Sequence, residues 1–421
     1  MKKRFISAIL AAFFTSSVFS GCDATVKSKN LTDGIKPGVV PVYSNFDKNQ
    51  QAAVAEFAAD IVKNTKSENG NVVVSPISVL YALAMTANGA DGETLAQMES
   101  VFGMDMETLN NYLHSTVSLL PSDEGYDFDI ANSLWITDDS GKFTVNEDFL
   151  RTVKSYYDAG VFSADFADKQ TLKDINSWVT HKTNGQIQNI LDKIDPDAVM
   201  YLVNAINFEA DWLNDYDEYS VSDGTFTKAD GRTQDAEFMY MSENGYLEDE
   251  NTTGFIKYYK GRKYAFVGLL PSENVKIDEY INSLNGEKIT NLLNGINPQQ
   301  EVETKIPKFE TTYDTEMSEI FKNLGMTDAF DSRSADFSRM GTAQIEGENV
   351  CINRVIHKAF IRVAEKGTQA GAATVVEMVA EGAMAIKERP KQVYLDRPFV
   401  YMIIDTQNNL PLFMGTVCTI E

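Results

Sequence analysis

The segment from Glu365 to Ile386 constrains the fold more than any other part of the chain. It opens with a charged pair and Gly367, then runs through Ala, Gly and Thr almost without bulk. It lies between two β-rich stretches, Val355–Val363 and Val393–Asp405. A core strand carries larger side chains, and a surface loop carries more polar ones. Written as a strand, alternate residues face opposite sides. One face is Thr368, Ala370, Ala372, Thr374, Val376 and Met378, wholly uncharged and small to medium in size. The other is Gln369, Gly371, Ala373, Val375 and Glu377, with one polar and one charged member. The first face suits a tightly packed sheet interior. Yet the segment leads through Glu381 and Gly382 into Lys387, Glu388, Arg389 and Pro390, which cannot be core. The pattern is that of a loop that becomes a strand. A flexible Ala-rich loop is the plainer alternative.

With 421 residues the chain is long enough for a large core and one or two domains. Its composition, 43% hydrophobic and 23% charged, is that of a globular protein. The formal charge of −24 repels phosphate backbones and argues against a nucleic-acid partner. Solubility outside the cell is the ordinary reason for such acidity. The N-terminus reads as a targeting segment: Lys2, Lys3 and Arg4 precede an apolar run, Phe5–Phe14, too short to span a bilayer comfortably. Phe19-Ser20-Gly21-Cys22 resembles a bacterial lipobox, with Phe19 where Leu is usual. The expectation is a signal peptide over 1–21, with Cys22 lipidated on an exported, surface- or membrane-anchored protein. Simple cleavage and full secretion is the alternative. Residues 22–45 hold Gly34, Pro37, Gly38 and Pro41 and read as a flexible tether. Cys351 and Cys418 lie in strand-like text and are expected as buried free thiols. No metal-ligand spacing is present, and no cofactor is expected.

The folded part is expected from residue 46 onward as a single domain. Gln50–Thr65 is an amphipathic helix, with Ala53, Phe57, Ile61 and Val62 on one face. A short β-branched run, Asn71–Pro76, leads into an apolar helix over Val79–Asn88. Helices are predicted over Ala90–Phe102, Asp105–Leu119, Phe143–Asp158 and Leu172–Leu191, the last broken near Asn184-Gly185, and a strand over Ile130–Ile136. From Met200 the text turns to strands: Met200–Phe208, Gly224–Thr227, Ala236–Tyr240, Phe255–Tyr259 and Tyr264–Pro271. A helix over Ile277–Leu293 follows, then strands over Glu301–Phe309, Val350–Val363, Val393–Asp405 and Leu412–Ile420, with a hairpin turn at Asn408-Asn409. Helices first and strands later, without βαβ alternation, define an α+β fold with a large, mostly antiparallel sheet system.

Catalytic chemistry finds little support. A nucleophilic hydrolase needs a base within reach of Ser or Cys. The chain has three histidines. His114 and His181 sit in polar helical text and read as solvated. His357 sits in the apolar run Val355–Phe360 and reads as a buried histidine satisfied by a neighbour. There is no nucleophile elbow, no Ser-x-x-Lys with a later Lys-Thr-Gly, no phosphate loop and no dinucleotide fingerprint. Trp135, Trp178 and Trp212 fall in periodic apolar text and read as core.

Glu365-Lys366-Gly367-Thr368 followed by small residues to Thr374 resembles the hinge of an inhibitory serpin, and the resemblance runs over residues 46–421. Asn71-Val72-Val73-Val74-Ser75-Pro76-Ile77-Ser78 is similar to that family's shutter segment. Leu202–Phe208 with Trp212 resembles its central strand and breach tryptophan. Ile306-Pro307-Lys308-Phe309, Val393–Tyr401 and Pro411–Gly415 resemble further family strands, and His357 falls where the family has its shutter histidine. The resemblance implies a serpin fold, with three β-sheets, about eight to nine helices and an exposed reactive-centre loop over 365–392. It implies no enzyme but a monomeric suicide-substrate inhibitor whose partner is a serine protease, held as a covalent acyl complex. Glu365, Lys366, Gly367, Thr368, Ala370, Ala372 and Thr374 would form the hinge. Ser75, Ser78, Asn204, Trp212 and His357 would form shutter and breach, with Asn204 and Ser75 or Ser78 bonding His357. Family spacing puts the reactive bond at Glu381–Gly382, with Ala380, Ala383 and Met384 as alternates. The small and aliphatic residues around it suit elastase-like or subtilisin-like proteases. A non-inhibitory binding lipoprotein on the same fold is the alternative. A lipoprotein hydrolase is disfavoured by the missing base.

Overall fold

The computed structural model describes residues 26–44, 46–67, 69–120, 125–138, 143–343, 349–368 and 389–420. Strands over Tyr126–Thr137 and Met200–Asp211 alternate or run apolar in sequence and pair antiparallel along their length. They lie at the middle of a seven-stranded sheet. Its order is Lys29–Asn30, Gly160–Ala164, Tyr126–Thr137, Met200–Asp211, Gly367–Thr368, Arg354–Ala364 and Phe309–Glu316. A nine-stranded sheet packs nearby. Its continuous path is Lys391–Tyr394, Asn297–Pro307, Thr233–Asp249, Thr252–Tyr258, Tyr264–Pro271, Phe399–Asp405, Leu410–Val417 and Val72–Val74, with Val221–Thr227 joined to the third of these. The third sheet is a two-stranded pair, Phe143–Val145 with Gly341–Ala343. Nine α-helices complete the described residues. The architecture is the α+β, three-sheet fold that the sequence implies.

Strand 264–271 is buried at every position, as an unbroken apolar run with neighbours on both faces must be. The helix over Pro76–Ala87 is also buried throughout. It starts three residues earlier than its apolar run predicts. Ser75 caps it, its side chain accepting from the Ser78 N–H, and Pro76 supplies a preset first turn. One apolar core fills the space around this helix and between the two large sheets. A second covers the opposite face of the first sheet, where Trp135, Phe162 and Trp178 meet beneath the helix over Lys169–Lys182.

Several boundaries differ from the sequence reading. The helix expected over 143–158 begins as strand Phe143–Val145 and becomes a helix only at Glu147–Tyr156. The helix expected over 172–191 breaks where expected, near Thr183-Asn184-Gly185, with Asn184 and Gly185 left-handed, but it runs Lys169–Lys182 and does not resume after the break. The helix expected over 277–293 is two, Ile277–Ser283 and Gly286–Asn294. There Asn285 caps the second helix, and Gly286 lies so close to helix Lys48–Asn64 that a Cβ would stand 2.6 Å from the Ala52 carbonyl. The run 393–405 divides into two strands, whereas the hairpin at Asn408-Asn409 is present, with Asn409 left-handed. Strands 160–164 and 309–316 had no counterpart in the sequence reading.

The tether expected over 22–45 is also different where it is described. Residues 26–44 lie along the body as a strap. Lys29–Asn30 adds an edge strand to 160–164. The Lys27 and Ser28 amides donate to Asp174 Oδ2 at 2.9 and 2.7 Å, and the Ser28 hydroxyl donates to the same oxygen at 2.8 Å. The Gly38 amide donates to Ser155 Oγ and the Tyr43 amide to Ser115 Oγ. Proline and glycine read as linker in sequence; here backbone donors find acceptors far along the chain. The signal segment and Cys22 lie outside the described residues. Cys418 is a buried free thiol, and Cys351 is half-buried.

Candidate functional site

The first sheet contains a seam between strands 200–211 and 354–364. At one end these strands pair directly and in parallel, Arg354 to Lys358 against Tyr201 to Ala205. At the other end they part, and Gly367–Thr368 enters between them. Thr368 pairs antiparallel with Ala210 on one side and Val363 on the other, and Gly367 with Asp211 and Ala364. Gly367 has no room for a side chain: a Cβ would stand 2.0 Å from the Ala210 carbonyl oxygen.

At this open end the expected hinge, residues 365–368, is held by backbone and side chains together. The Trp212 amide donates to the Lys366 carbonyl at 2.7 Å, and the Tyr216 amide to the Glu365 carbonyl at 3.0 Å. The Trp212 indole N–H donates to the Ala364 carbonyl at 2.8 Å. Trp212 stacks on Tyr259, with ring centroids 4.4 Å apart. Thr368 is 2% exposed, and its hydroxyl is 2.6 Å from the Tyr259 hydroxyl. Burial pushes the Tyr259 phenol far above its ordinary range, so this contact is between neutral groups. Lys308 bridges Glu365 at 2.8 Å and Glu237 at 3.1 Å. The hydrogen bond to Glu365 is the chief cause of its raised pKa.

At the closed end the side chains are polar and uncharged. Asn204 Oδ1 accepts from Ser78 Oγ at 2.6 Å and from His357 Nδ1 at 2.8 Å. Asn204 Nδ2 donates to the Ser78 carbonyl at 3.0 Å and to Asn132 Oδ1. The Ser75 amide donates to His357 Nε2 at 3.2 Å, and Ser75 Oγ donates to the Leu412 carbonyl at 2.7 Å. His357 is therefore the Nδ1-protonated neutral tautomer, because Nε2 must accept. Full burial pulls its pKa down to about 4.

The structure thus brings Ser75, Ser78, Asn204 and His357 into one network, and sets Trp212 against the hinge. His357 bonds Asn204 and the Ser75 backbone; Ser78 reaches it only through Asn204. Of the hinge, Glu365, Lys366, Gly367 and Thr368 are placed; Ala370, Ala372 and Thr374 lie outside the described residues. So do Ala380, Glu381, Gly382, Ala383 and Met384. Thr368, the first member of the face expected to be buried, is buried. His181 is exposed, but His114 is half-buried beside the Tyr156 carbonyl. In sequence Tyr259 is only the last ring of a strand, and Lys308 part of the motif Ile306-Pro307-Lys308-Phe309. Nothing in the run Phe255–Tyr259 marks its last ring as the hinge's partner.

The first sheet thus holds a two-residue strand, Gly367–Thr368, between two strands that pair directly with each other farther along. A family model described as serpin (serine protease inhibitor) matches residues 52–420. An uncharacterised serpin-like protein of Methanosarcina mazei is 30% identical, covering 98% of this chain and 97% of its own. The thermophilic serpin tengpin in its native state is 44% identical, with a TM-score of 0.87, over 94% of this chain and 100% of that one. Tengpin in its latent state is 42% identical, with a TM-score of 0.78, over 90% and 99%. The chain belongs to the serpin family.

Proposed function

We propose that this protein inhibits a serine protease by trapping its acyl-enzyme through loop insertion. The observation that carries this reading is the half-filled seam: Gly367–Thr368 is already a strand, and the path beyond it is closed only by parallel pairing and the Asn204–His357 network. The protease serine attacks the carbonyl of the reactive bond, taken as Glu381–Gly382. The peptide bond breaks, the new amine leaves with the C-terminal fragment, and an ester joins protease to Glu381. Residues beyond Thr368 then continue the strand. Each added ladder bond contributes roughly 0.5–1.5 kcal/mol net, and the small face adds burial. The esterified protease is carried along and distorted before water can release it. Serpin loop insertion is a standard example of strand addition.

The aliphatic residues around Glu381, with Ala380, Ala383 and Met384 as alternate positions, favour elastase-like or subtilisin-like targets. The N-terminal pattern supports export, with a lipid on Cys22, and the inhibitor acts as a monomer. Incubation with pancreatic elastase and with subtilisin, followed by a denaturing gel and mass measurement, tests the reading. The expected result is a detergent-stable band at the summed mass less the C-terminal fragment, and a released peptide beginning at Gly382. Clean cleavage without such a band makes the chain a substrate, and no cleavage makes it a binding protein; either overturns the proposal. Membrane fractionation and the mass of the mature N-terminus test the lipid.

A further inference from the structure

Lys257 and Glu243 form a buried charge pair beside the hinge. Lys257 stands in strand 252–258 and Glu243 in strand 233–249, with side chains 1% and 10% exposed. Lys257 Nζ donates to Glu243 Oε1 at 2.6 Å and to the Asn214 carbonyl at 3.1 Å, and it touches the Met241 sulfur. It also lies 4.4 Å from the Tyr216 ring centroid and 5.2 Å from that of Trp212. Burial pulls the lysine pKa down; Glu243, and Asp215 more weakly, oppose that. An apolar pair would hold such a place at least as well, so the charge calls for a use.

Three of the ammonium contacts fall on residues 212–216. Two amides of that same turn hold the hinge carbonyls of Lys366 and Glu365, and its indole holds Ala364. Lys257 therefore grips, from behind, the piece of backbone on which the hinge is docked. We propose that Lys257, held by Glu243, is a positioning residue for loop insertion: it fixes the 212–216 turn so that the hinge is already seated when the loop is cut. This rests on the loop-insertion reading above. A seated hinge has its orientation settled before insertion competes with deacylation. The number of inhibitor molecules consumed per protease trapped exceeds one by the ratio of deacylation to insertion rates. Slower insertion raises that excess directly.

Lys257→Met alone strands a buried carboxylate, so the test uses the double variant Lys257→Met/Glu243→Leu, which fills the site with apolar atoms, and Lys257→Arg, which keeps charge and donors. In the full chain with elastase, the double variant is expected to have its loop attacked at the wild-type rate. Its excess consumption should rise about fivefold, the cost of roughly one docking hydrogen bond. Lys257→Arg should stay within about twofold of wild type. Hydrogen exchange at the Gly367 and Thr368 amides, which needs no protease, should quicken about fivefold in the double variant alone. Unchanged exchange in a folded double variant overturns the proposal, as does an Arg variant as impaired as the double one. Failure of the wild type to form a covalent complex is a separate result: it removes the inhibitor reading, while exchange still reports on the clamp.

Discussion

The two ends of the seam are made from the same pair of strands but closed in opposite ways. At the hinge end strands 200–211 and 354–364 stand apart and Gly367–Thr368 satisfies both. Its surroundings are stacked rings and ion pairs: Trp212 on Tyr259, Lys308 with Glu365, Lys257 with Glu243. At the other end the strands bond each other directly, and the groups across them are amide, hydroxyl and neutral imidazole. The rigid, strongly held end is the one already filled. The end that would have to open in the proposed insertion is closed by neutral hydrogen bonds, each worth about 1 kcal/mol net and each replaceable by an incoming partner. The register sharpens the point. Continued from Thr368 in the same register, the proposed inserted strand would set Thr374 opposite Asn204 and His357. The second hydroxyl of the small-residue face would then arrive at the network that insertion has to displace.

Breaking the filled end should have the largest effect. Thr368→Arg puts a charge where the native side chain is 2% exposed. Uncompensated burial of that charge costs several kcal/mol, so insertion should slow by roughly a hundredfold or more. The variant is expected to be cleaved as a substrate, and persistence of the detergent-stable complex on a gel would show that the filled end does not control insertion.

The closed end should respond to acid. His357 has a folded pKa of about 4, below its ordinary 6.5, so the fold favours the neutral ring. Its contribution is therefore complete above pH 6.5 and is lost as pH falls towards 4. The full loss is about 3 kcal/mol. Protonation at Nε2 also turns a donor towards the Ser75 amide, which is itself a donor. Urea midpoints between neutral pH and pH 4 measure this, and His357→Leu should flatten the curve relative to wild type. An equal slope in both proteins would assign the acid response to other groups.

The smallest effect is expected from the half-exposed ion pair at the hinge. Lys308→Ala removes the contacts to Glu365 and Glu237, whose side chains are 35% and 56% exposed. Solvent screening limits the loss to about 0.5–1 kcal/mol, and high ionic strength should shrink the difference between variant and wild type. Paired urea melts at low and high salt read this. A large, salt-independent loss would mean that Lys308 holds the hinge by more than its screened charge pairs.

Much of the seam was legible because both partners carry local signatures. The small-residue face from Thr368 onward announces a strand with little space, and Ser75-Pro76 announces a capped helix. His357 in an apolar run announces a buried, satisfied ring. What was not legible depends on residues far apart in sequence. Lys257 lies unmarked in the strand text Phe255–Tyr259; its burial comes from Trp212, Tyr216 and Glu243 meeting over it. The strap over 26–44 reads as linker because its anchor, Asp174, lies almost 150 residues later. Strand 309–316 is hidden by its alternating polar residues, since its outer face meets solvent at the sheet edge.

The strap has a geometric consequence for an anchored molecule. Its strand Lys29–Asn30 is level with Phe162 and Ser163, and through Ile136 with Met200, the end of the seam farthest from Thr368. Only four peptide steps join Cys22 to Val26, a reach of about 14 Å at most. With the proposed lipid on Cys22, the bilayer would lie under this pole and the bait would face outward, some 35 Å away along strand 200–211 at ordinary strand rise. The proposed insertion would run from the outward pole to the inward one. A trapped protease would thus be drawn down towards the lipid headgroups, and the membrane itself would become a second wall against which it is pressed.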